Sequence, residues 1–179
     1  MKTLTLLRHA KSGWDDPVAR DFDRPLNARG QRAAAVIGRY LRSEELTYDR
    51  VLASPAVRVT ETIAGVEGGY GGALAPDWDK RIYLASAATL LDLVREQSDA
   101  VARLLMVGHN PGLEDLAMLL VPAGQGAARD ALEAKFPTAT LAVIELPIDH
   151  WHDAGRGIAR LERFVRPRDL DPTLGPDTV

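Results

Sequence analysis

The sequence of 179 residues contains no cysteine. This absence excludes disulfide bonds, catalysis by a thiolate and zinc sites with cysteine ligands. An excess of basic residues is also lacking, because 22 Lys and Arg stand against 25 Asp and Glu, which leaves a net charge of −3. A nucleic-acid-binding surface would normally show such an excess. We therefore expect no nucleic-acid partner.

Long hydrophobic runs are missing as well. No segment approaches the ~18 consecutive apolar residues that a membrane span needs. The TLTLL run after Lys2 is too short for a signal peptide, and no cleavage site with small residues follows it. Hydrophobic residues make up 46% of the chain and charged residues 26%, proportions that are ordinary for a globular protein. We predict a cytoplasmic protein without a membrane partner.

The apolar pattern alternates between strand and helix periods along the chain. The predicted strands cover residues 3–8, 50–54, 103–109, 140–146 and 157–165. The predicted helices cover residues 28–42, 56–66, 87–98, 111–121 and 128–136. Asn27 and Ser86 are the predicted N-caps of the first and third helices. The glycine-rich stretch GVEGGYGG is expected to break the second helix.

This alternation predicts an α/β fold, a three-layer sandwich with helices on both faces of a mostly parallel sheet. The last two strands are expected to form an antiparallel pair, so that one strand near the C-terminus opposes the others. A chain of this length suits one domain better than two. We expect residues 1–170 to form that single domain and residues 171–179 to be a loose C-terminal tail.

Three predicted strands are followed by side chains that suit a phosphate. The first ends in Arg8 and His9, the 103–109 strand ends in His109, and Arg58 comes shortly after the 50–54 strand. In an α/β sheet, ligands bind outside the carboxyl ends of the strands, so these side chains are expected to converge. The sequences SP and NP mark helix starts there, with Ser54 as a predicted cap, and helix N-termini favour anions. The strand ends therefore predict a cationic pocket that binds phosphate.

Four motifs carry a resemblance to a known family. They are LLRHAKS (residues 6–12), DRPLNARG (23–30), SPxxRxxET (54–62) and VGHNPG (107–112). Together they resemble the histidine phosphatase superfamily, also called phosphoglycerate-mutase-like, and within it the short SixA-type phosphohistidine phosphatases. The resemblance extends over residues 1–170. In one departure, Ala10 and Lys11 follow the Arg-His pair, where the superfamily usually has Gly and often then Glu.

The resemblance implies a role for each strand-end residue. His9 is implied to be the nucleophile that becomes phosphorylated, while Arg8, Arg58 and His109 bind the phosphoryl group and stabilise its transition state. For substrate binding, the candidates are Ser12 and Asn110.

The chemistry of these residues agrees with those roles. An imidazole that attacks phosphorus divides one difficult displacement into two easier ones. One nitrogen of His9 must then be unprotonated while the other is held, for which a backbone carbonyl is the expected partner. The charge that develops on the phosphoryl oxygens needs cations in place, here Arg8, Arg58 and a protonated His109. This scheme requires no metal and no cofactor.

The proton donor for the leaving group is less clearly marked. Larger members of the superfamily carry a carboxylate on an insertion after the second strand, and this chain is short there. The best candidate for a catalytic acid is Asp79, with Asp77 behind it. Without such an acid, the enzyme suits leaving groups that need little help, such as the nitrogen of a phosphoramidate. The few insertions also imply an open pocket, although the 122–128 loop could close over a small molecule.

Three functions remain open from the sequence. The first is a phosphatase for phosphohistidine on a protein, such as a His-phosphorylated signalling domain. The second is a phosphatase for small phosphomonoesters, and the third is a phosphate-binding regulatory module without catalysis. The sequence His150-Trp151-His152 resembles a metal-binding pair but has no third ligand nearby, so we interpret it as an exposed loop and expect no metal site.

Overall fold

The computed structural model describes residues 1–13 and 20–175 and contains one six-stranded sheet. The strands are β1 (Lys2–Arg8), β2 (Arg50–Ala53), β3 (Asp77–Trp78), β4 (Arg103–Gly108), β5 (Leu141–Leu146) and β6 (Arg160–Val165). Their order across the sheet is β3-β2-β4-β1-β5-β6. The first four of these pair in parallel, whereas β5 is antiparallel to both β1 and β6. The mostly parallel sheet with an antiparallel strand near the C-terminus is therefore confirmed.

Helices lie on both faces of this sheet. They are α1 (Ala28–Ser43), α2 (Val57–Tyr70), α3 (Ala87–Arg95), α4 (Gly112–Leu120), α5 (Ala127–Ala134) and α6 (Pro167–Leu170). Helices α1 and α2 contribute to one buried apolar cluster, and α3, α4 and α5 contribute to another. Successive residues of β4 pack alternately into the two clusters, which explains why its sequence is apolar throughout. The predicted three-layer α/β sandwich is confirmed. No helix in the described ranges is long and apolar enough to cross a membrane.

The second helix does not stop at the glycine-rich stretch, contrary to the prediction. It continues to Tyr70 and ends at Gly71, whose φ of 80° is the left-handed conformation that glycine tolerates best. The glycines inside it let α2 approach α1 at backbone distance. A Cβ built on Gly69 would lie 2.2 Å from the carbonyl oxygen of Ala35. The stretch is therefore a helix-packing surface rather than a break.

The ends of other elements are partly as predicted. The side chains of Asn27 and Ser86 accept hydrogen bonds from the first turns of α1 and α3, so both N-caps are confirmed.

The expected loose tail is wrong for residues 171–175, because they form a short turn whose Leu174 is buried against the α1–α2 cluster. Arg29 also donates a hydrogen bond to the carbonyl of Gly175. Residues 176–179 lie outside the described residues.

Two glycines of α2 should respond oppositely to the same substitution. Gly69→Ala forces a methyl group against the backbone of α1 and is expected to lower the free energy of unfolding by about 1–3 kcal/mol. Gly68 has nothing within 4 Å of its Cβ position. Gly68→Ala should therefore stabilise the protein by about 0.5–1 kcal/mol, as alanine does in an open helical position. Urea unfolding of both variants checks this, and equal effects would contradict the close helix contact.

Candidate active site

The strand ends predicted to converge meet in a cleft of about 410 Å³. Strands β1 and β4 are neighbours in register, with Arg8 opposite Gly108, so the residues that follow them lie side by side. The N–H of His9 donates to the carbonyl of Gly108 at 3.0 Å and continues this pairing beyond the strands. Residues from the β1 end, the start of α2 and the β4 end line the cleft together. The sequence prediction of one shared pocket is confirmed.

His9 is held as a neutral base. Its Nδ1 lies 2.7 Å from the carbonyl oxygen of Ala10, so Nδ1–H donates there and Nε2 is left unprotonated. Burial, together with the charges of Arg8 and Arg58 and the neighbouring His109 ring, lowers the pKa of His9 to about 3, although the Ala10 carbonyl acts in the other direction. The predicted carbonyl partner is therefore confirmed. At neutral pH, Nε2 carries the lone pair that a nucleophile needs.

His109 lies beside it, with the two ring centroids 5.4 Å apart. Burial and the charge of Arg58 lower the pKa of His109 to about 3, so the ring is neutral in the ligand-free protein, and a protonated His109 beside a phosphoryl group stays a prediction. Its Nε2 is 2.8 Å from the hydroxyl of Ser54, which also accepts from the Ala56 N–H at 3.3 Å. We assign the hydroxyl as the donor to Nε2, so that the ring proton lies on Nδ1. Nδ1 is buried and has no hydrogen-bond partner among the described residues.

Ser54 thus does not have the predicted role of a helix cap. Helix α2 begins after Ala56, and no side chain caps it. Ser54 is fully buried and hydrogen-bonded to Nε2 of His109 instead, where with this assignment it holds the tautomer of the ring. A neutral His109 can then offer Nδ1–H to a phosphoryl oxygen without carrying a charge. The sequence could have indicated this only through the position of Ser54 at a strand end beside the strand that leads to His109.

The two arginines are oriented by backbone and side-chain oxygens. Arg8 donates from Nη1 to the carbonyl of Phe136 at 3.0 Å. Arg58 is only 2% exposed and donates through its two Nη atoms to Asp21, at 2.9 Å to the carbonyl and 3.0 Å to the carboxylate. The Nε of Arg58 is buried and finds no hydrogen-bond partner in the described part of the chain. The cleft therefore combines a neutral imidazole with guanidinium groups already in place, an arrangement that suits phosphoryl transfer.

Comparisons with known proteins agree with this arrangement. The model of the histidine phosphatase superfamily (branch 1) matches residues 4–82. A solved structure assigned as the phosphohistidine phosphatase SixA of Agrobacterium tumefaciens is 30% identical, with 93% of this chain and 98% of that chain covered and a TM-score of 0.76. The chain belongs to the histidine phosphatase superfamily. Membership supports phosphatase activity and a phosphorylated substrate.

Further relatives place this histidine phosphatase among the SixA-type members. A structure assigned as SixA from Nakamurella multipartitia is 29% identical, with a TM-score of 0.80 and coverage of 93% of this chain and 96% of that chain. An uncharacterized protein of Mycobacterium tuberculosis is 37% identical over 165 residues, which cover 90% of this chain and 100% of that protein. The similarity therefore extends well beyond the motifs, over nearly the whole chain.

Asp21 is a residue of this histidine phosphatase that sequence reasoning missed. It contributes the one carboxylate found among the described residues that line the cleft. The hydroxyl of Tyr83 donates to it at 2.7 Å, and the guanidinium groups of Arg24 and Arg58 lie 3.1 and 3.0 Å away. Partial burial acts to raise the pKa of Asp21, but these hydrogen bonds and the Arg58 charge outweigh it and lower the pKa to about 2. Asp21 is therefore ionised and orients Arg58.

Asp79 is not brought to the cleft, so the structure corrects its prediction as the catalytic acid. Its carboxylate accepts hydrogen bonds from the backbone and the guanidinium of Arg81, the shortest at 2.7 Å. These bonds lower the pKa of Asp79. It caps the turn at Lys80–Ile82, and this turn carries Tyr83 towards the cleft in its place. Asp77 is likewise engaged elsewhere, with Arg50 at 2.9 Å.

The two predicted substrate-binding residues do line the cleft. The hydroxyl of Ser12 accepts a hydrogen bond from Arg24. Asn110 donates to the carbonyl of Phe136 at 2.9 Å, and its side-chain oxygen accepts from the N–H of Glu114 at 3.3 Å, near the start of α4. Both side chains are therefore tied to the protein at the edge of the cleft. Their contact with substrate stays a prediction.

Two loops lie away from the cleft. In the 122–128 loop, Gln125 bonds to the backbone of Ala159 and Leu161, next to the start of β6. That end of the sheet is opposite the cleft, so the expectation that this loop could close over a small molecule is wrong.

In the His150–His152 segment, His150 pairs with Asp99 at 2.8 Å. Trp151 between the two histidines is fully buried, so only part of that segment is an exposed loop.

The low pKa values of the two cleft histidines can be tested by NMR. Because their folded pKa lies below the ordinary value of 6.5, His9 and His109 should stay neutral as the pH is lowered from about 8 to about 5. His150 is an internal control, since Asp99 raises its pKa. Nitrogen-15 imidazole shifts of the ligand-free protein report each ring. Titration of His9 near its ordinary pKa would contradict the neutral base.

The tautomer assigned to His109 depends on Ser54. Ser54→Ala removes the hydroxyl that donates to Nε2, so the ring proton is no longer held on Nδ1. One lost hydrogen bond is worth about 1–2 kcal/mol, and we expect kcat/KM to fall about five- to thirtyfold. Ser86→Ala, which removes a helix cap instead, should leave kcat/KM unchanged. The nitrogen-15 shifts of His109 should move only in Ser54→Ala, and an unchanged tautomer there would remove Ser54 from the site.

Proposed function

We propose that this histidine phosphatase removes the phosphoryl group from phosphohistidine on a protein, through a transient phosphohistidine at His9. The observation that carries the proposal is the neutral His9, whose Nε2 is unprotonated beside Arg8, Arg58 and His109. A regulatory module that only bound phosphate would gain nothing from an activated base at this position. The geometry therefore favours catalysis over simple binding.

The proposed reaction has two displacements at phosphorus. In the first, Nε2 of His9 attacks the phosphorus atom, the N–P bond to the substrate imidazole breaks, and that imidazole departs with the bonding pair. Arg8 and Arg58 stabilise the charge on the equatorial oxygens, and the Nδ1–H of His109 donates to one of them. In the second, a water molecule attacks the phosphorus, the bond to His9 breaks, and inorganic phosphate leaves with the oxygen and protons of that water. His9 returns to its neutral form.

The leaving group is the reason to prefer a phosphoramidate. An alkoxide leaving group needs a proton, and the usual donor is a carboxylic acid of raised pKa. Among the described residues of the cleft the carboxylate is Asp21, and its pKa is lowered to about 2, so it holds no proton to give. Asp79, the acid predicted from the sequence, points to Arg81. An imidazole leaving group can carry a proton on its other nitrogen and needs no such acid.

Access to the cleft supports a protein substrate. The 122–128 loop lies at the other end of the sheet, where it cannot cover the phosphoryl site. Leu84 lines the mouth of the cleft and is 55% exposed, so the apolar rim faces outward. A phosphohistidine displayed on the surface of another protein could reach His9 from that side. We propose a single domain that includes the packed turn at residues 171–175 beyond the predicted boundary at residue 170, acts in the cytoplasm and needs no metal, because the guanidinium groups supply the positive charge.

A panel of substrates tests the proposal. A phosphohistidine peptide, an aryl phosphate and several alkyl phosphomonoesters are compared by kcat/KM, with and without a metal chelator. We expect the phosphohistidine peptide to exceed the alkyl esters by at least about tenfold, which corresponds to about 1.4 kcal/mol in the barrier. The chelator should change nothing. Acid-quench labelling should trap an acid-labile, base-stable phosphoenzyme that His9→Ala cannot form.

The matched control variant changes Asp79, the catalytic acid predicted from the sequence. Asp79→Asn should leave all rates nearly unchanged, because Asp79 is bonded to Arg81 away from the cleft. If alkyl esters were preferred by tenfold or more and Asp79→Asn removed that preference, the enzyme would be a phosphatase for small phosphomonoesters. Binding of phosphate without turnover of any substrate would indicate a regulatory module. Full turnover by His9→Ala would overturn the mechanism itself.

A further inference from the structure

A second cavity of about 130 Å³ adjoins the cleft. It lies between α1, α5 and the segment that contains α6, and it shares Lys11 and Thr138 with the cleft as lining residues. We call it the basic groove, because five basic side chains surround it. They are Lys11, Arg29, Lys135, Arg166 and Arg168. The reaction described above uses none of the four that lie outside the cleft.

The charge of the basic groove contrasts with that of the whole chain. The protein has a net charge of −3, yet no acidic residue is among those described as lining this groove. Arg166 is paired with Asp169 at 2.9 Å, so part of its charge is neutralised. Lys135 is exposed and Arg168 is half-buried, and both add positive charge at the edge. A concentration of one sign in a concave site attracts ligands of the other sign.

The floor of the basic groove is apolar. It is formed by small and aliphatic side chains, namely Ala33, Ala131, Ala134, Pro137 and Leu174. Its volume is close to the ~150 Å³ of a cavity that holds a benzene-sized group. A phosphate or another small, fully polar anion would gain nothing from such a floor. An acidic peptide with an apolar side chain would gain from both the rim and the floor.

The wall between the groove and the cleft is tied to the catalytic residues. The carbonyl of Phe136 accepts hydrogen bonds from Arg8 and Asn110, at 3.0 and 2.9 Å. Three residues later, the N–H of Ala139 donates to the carbonyls of Arg8 and His9, at 3.1 and 3.0 Å. Pro137 and Thr138 between these anchors line the groove, as does Lys135 just before them. These backbone contacts fix the position of the groove relative to His9. Because the two cavities are adjacent and share Lys11 and Thr138, a substrate that reaches His9 can extend into the groove.

We propose that the basic groove binds an acidic peptide segment, with an apolar residue between its carboxylates, that adjoins the phosphohistidine of the protein substrate. This inference rests on the proposed function and names the chemistry of the substrate around the phosphohistidine. The groove makes no contact with the reacting atoms, so it acts on binding. Occupation lowers KM and leaves kcat almost unchanged, and added salt weakens the effect.

Phosphohistidine peptides that differ only beside the phosphohistidine provide the test. One series carries Asp-Leu-Asp on either flank, a second carries Asn-Leu-Asn, and a third carries Asp-Ser-Asp. On one of the two flanks, the Asp-Leu-Asp peptide is expected to exceed the other two by about tenfold or more in kcat/KM, through KM. Equal kcat/KM for the three peptides on both flanks would overturn the proposal.

Charge-reversal variants test whether the preference for the Asp-Leu-Asp peptide arises in the basic groove. Lys135→Glu/Arg168→Glu reverses two basic residues of the groove and should remove at least about fivefold of the preference for Asp-Leu-Asp. The matched control is Arg103→Glu/Arg156→Glu, which makes the same change of net charge at the opposite end of the sheet and should keep the preference. Ala131→Trp fills the floor without changing any charge and should also remove it. An equal loss in the control would show a general attraction and contradict a groove.

Two further measurements separate this inference from the proposed function. The phosphoramidate ion carries no peptide, so all variants should hydrolyse it within about twofold of the native rate, which also shows that they fold. Binding of the unphosphorylated Asp-Leu-Asp peptide, measured by fluorescence anisotropy, does not depend on turnover. It should weaken at least fivefold in Lys135→Glu/Arg168→Glu and in Ala131→Trp, but not in Arg103→Glu/Arg156→Glu. If no phosphoramidate is hydrolysed, the phosphohistidine proposal fails, and this binding result alone decides for or against the groove.

Discussion

The rest of the site depends on the hydrogen bond from Nδ1 of His9 to the carbonyl of Ala10. It fixes the tautomer, so the position of the Ala10 backbone decides where Nε2 of His9, the proposed nucleophile, points. That backbone is held in turn from α2, because the N–H of Ala10 donates to the hydroxyl of Thr62 at 2.9 Å. The same hydroxyl donates to the carbonyl of Arg58 at 2.6 Å. The Arg and Thr of the SPxxRxxET motif therefore form one support that positions His9 and the guanidinium of Arg58 together.

The site brings the positive charges of Arg8 and Arg58 close to the two cleft histidines, and this lowers the free energy of unfolding at acidic pH. The charges of Arg8 and Arg58 contribute to the low pKa of both cleft histidines, and burial contributes more. In the unfolded chain these rings have the ordinary pKa of 6.5, so the unfolded state takes up protons first as the pH falls. The stability of the fold therefore decreases from about pH 6.5 downward. Asp21 offsets part of the repulsion because its carboxylate lies between Arg24 and Arg58.

The four residues predicted at strand ends are those that topology alone can locate, since the ends of neighbouring parallel strands share one edge of a sheet. Ser54 and Asp21 were misread or missed because their roles depend on which way a side chain points. The sequence favours Asp79 because it is a carboxylate in the right segment, yet the short turn after it brings Tyr83 into contact with Asp21 and His109 instead. The glycines of α2 were interpreted as a break because a single helix does not reveal the partner that approaches it.

The charge distribution also constrains which reactions this cleft can carry out. A carboxylate that contacts the phosphate-binding guanidinium groups has a lowered pKa, as Asp21 shows. Such a group is ionised at neutral pH and cannot protonate a leaving group. A general acid would therefore have to reach the substrate from a position away from Arg24 and Arg58. Among the described residues, the carboxylate at this site is held by arginines, and this arrangement agrees with the proposed preference for leaving groups that need no acid.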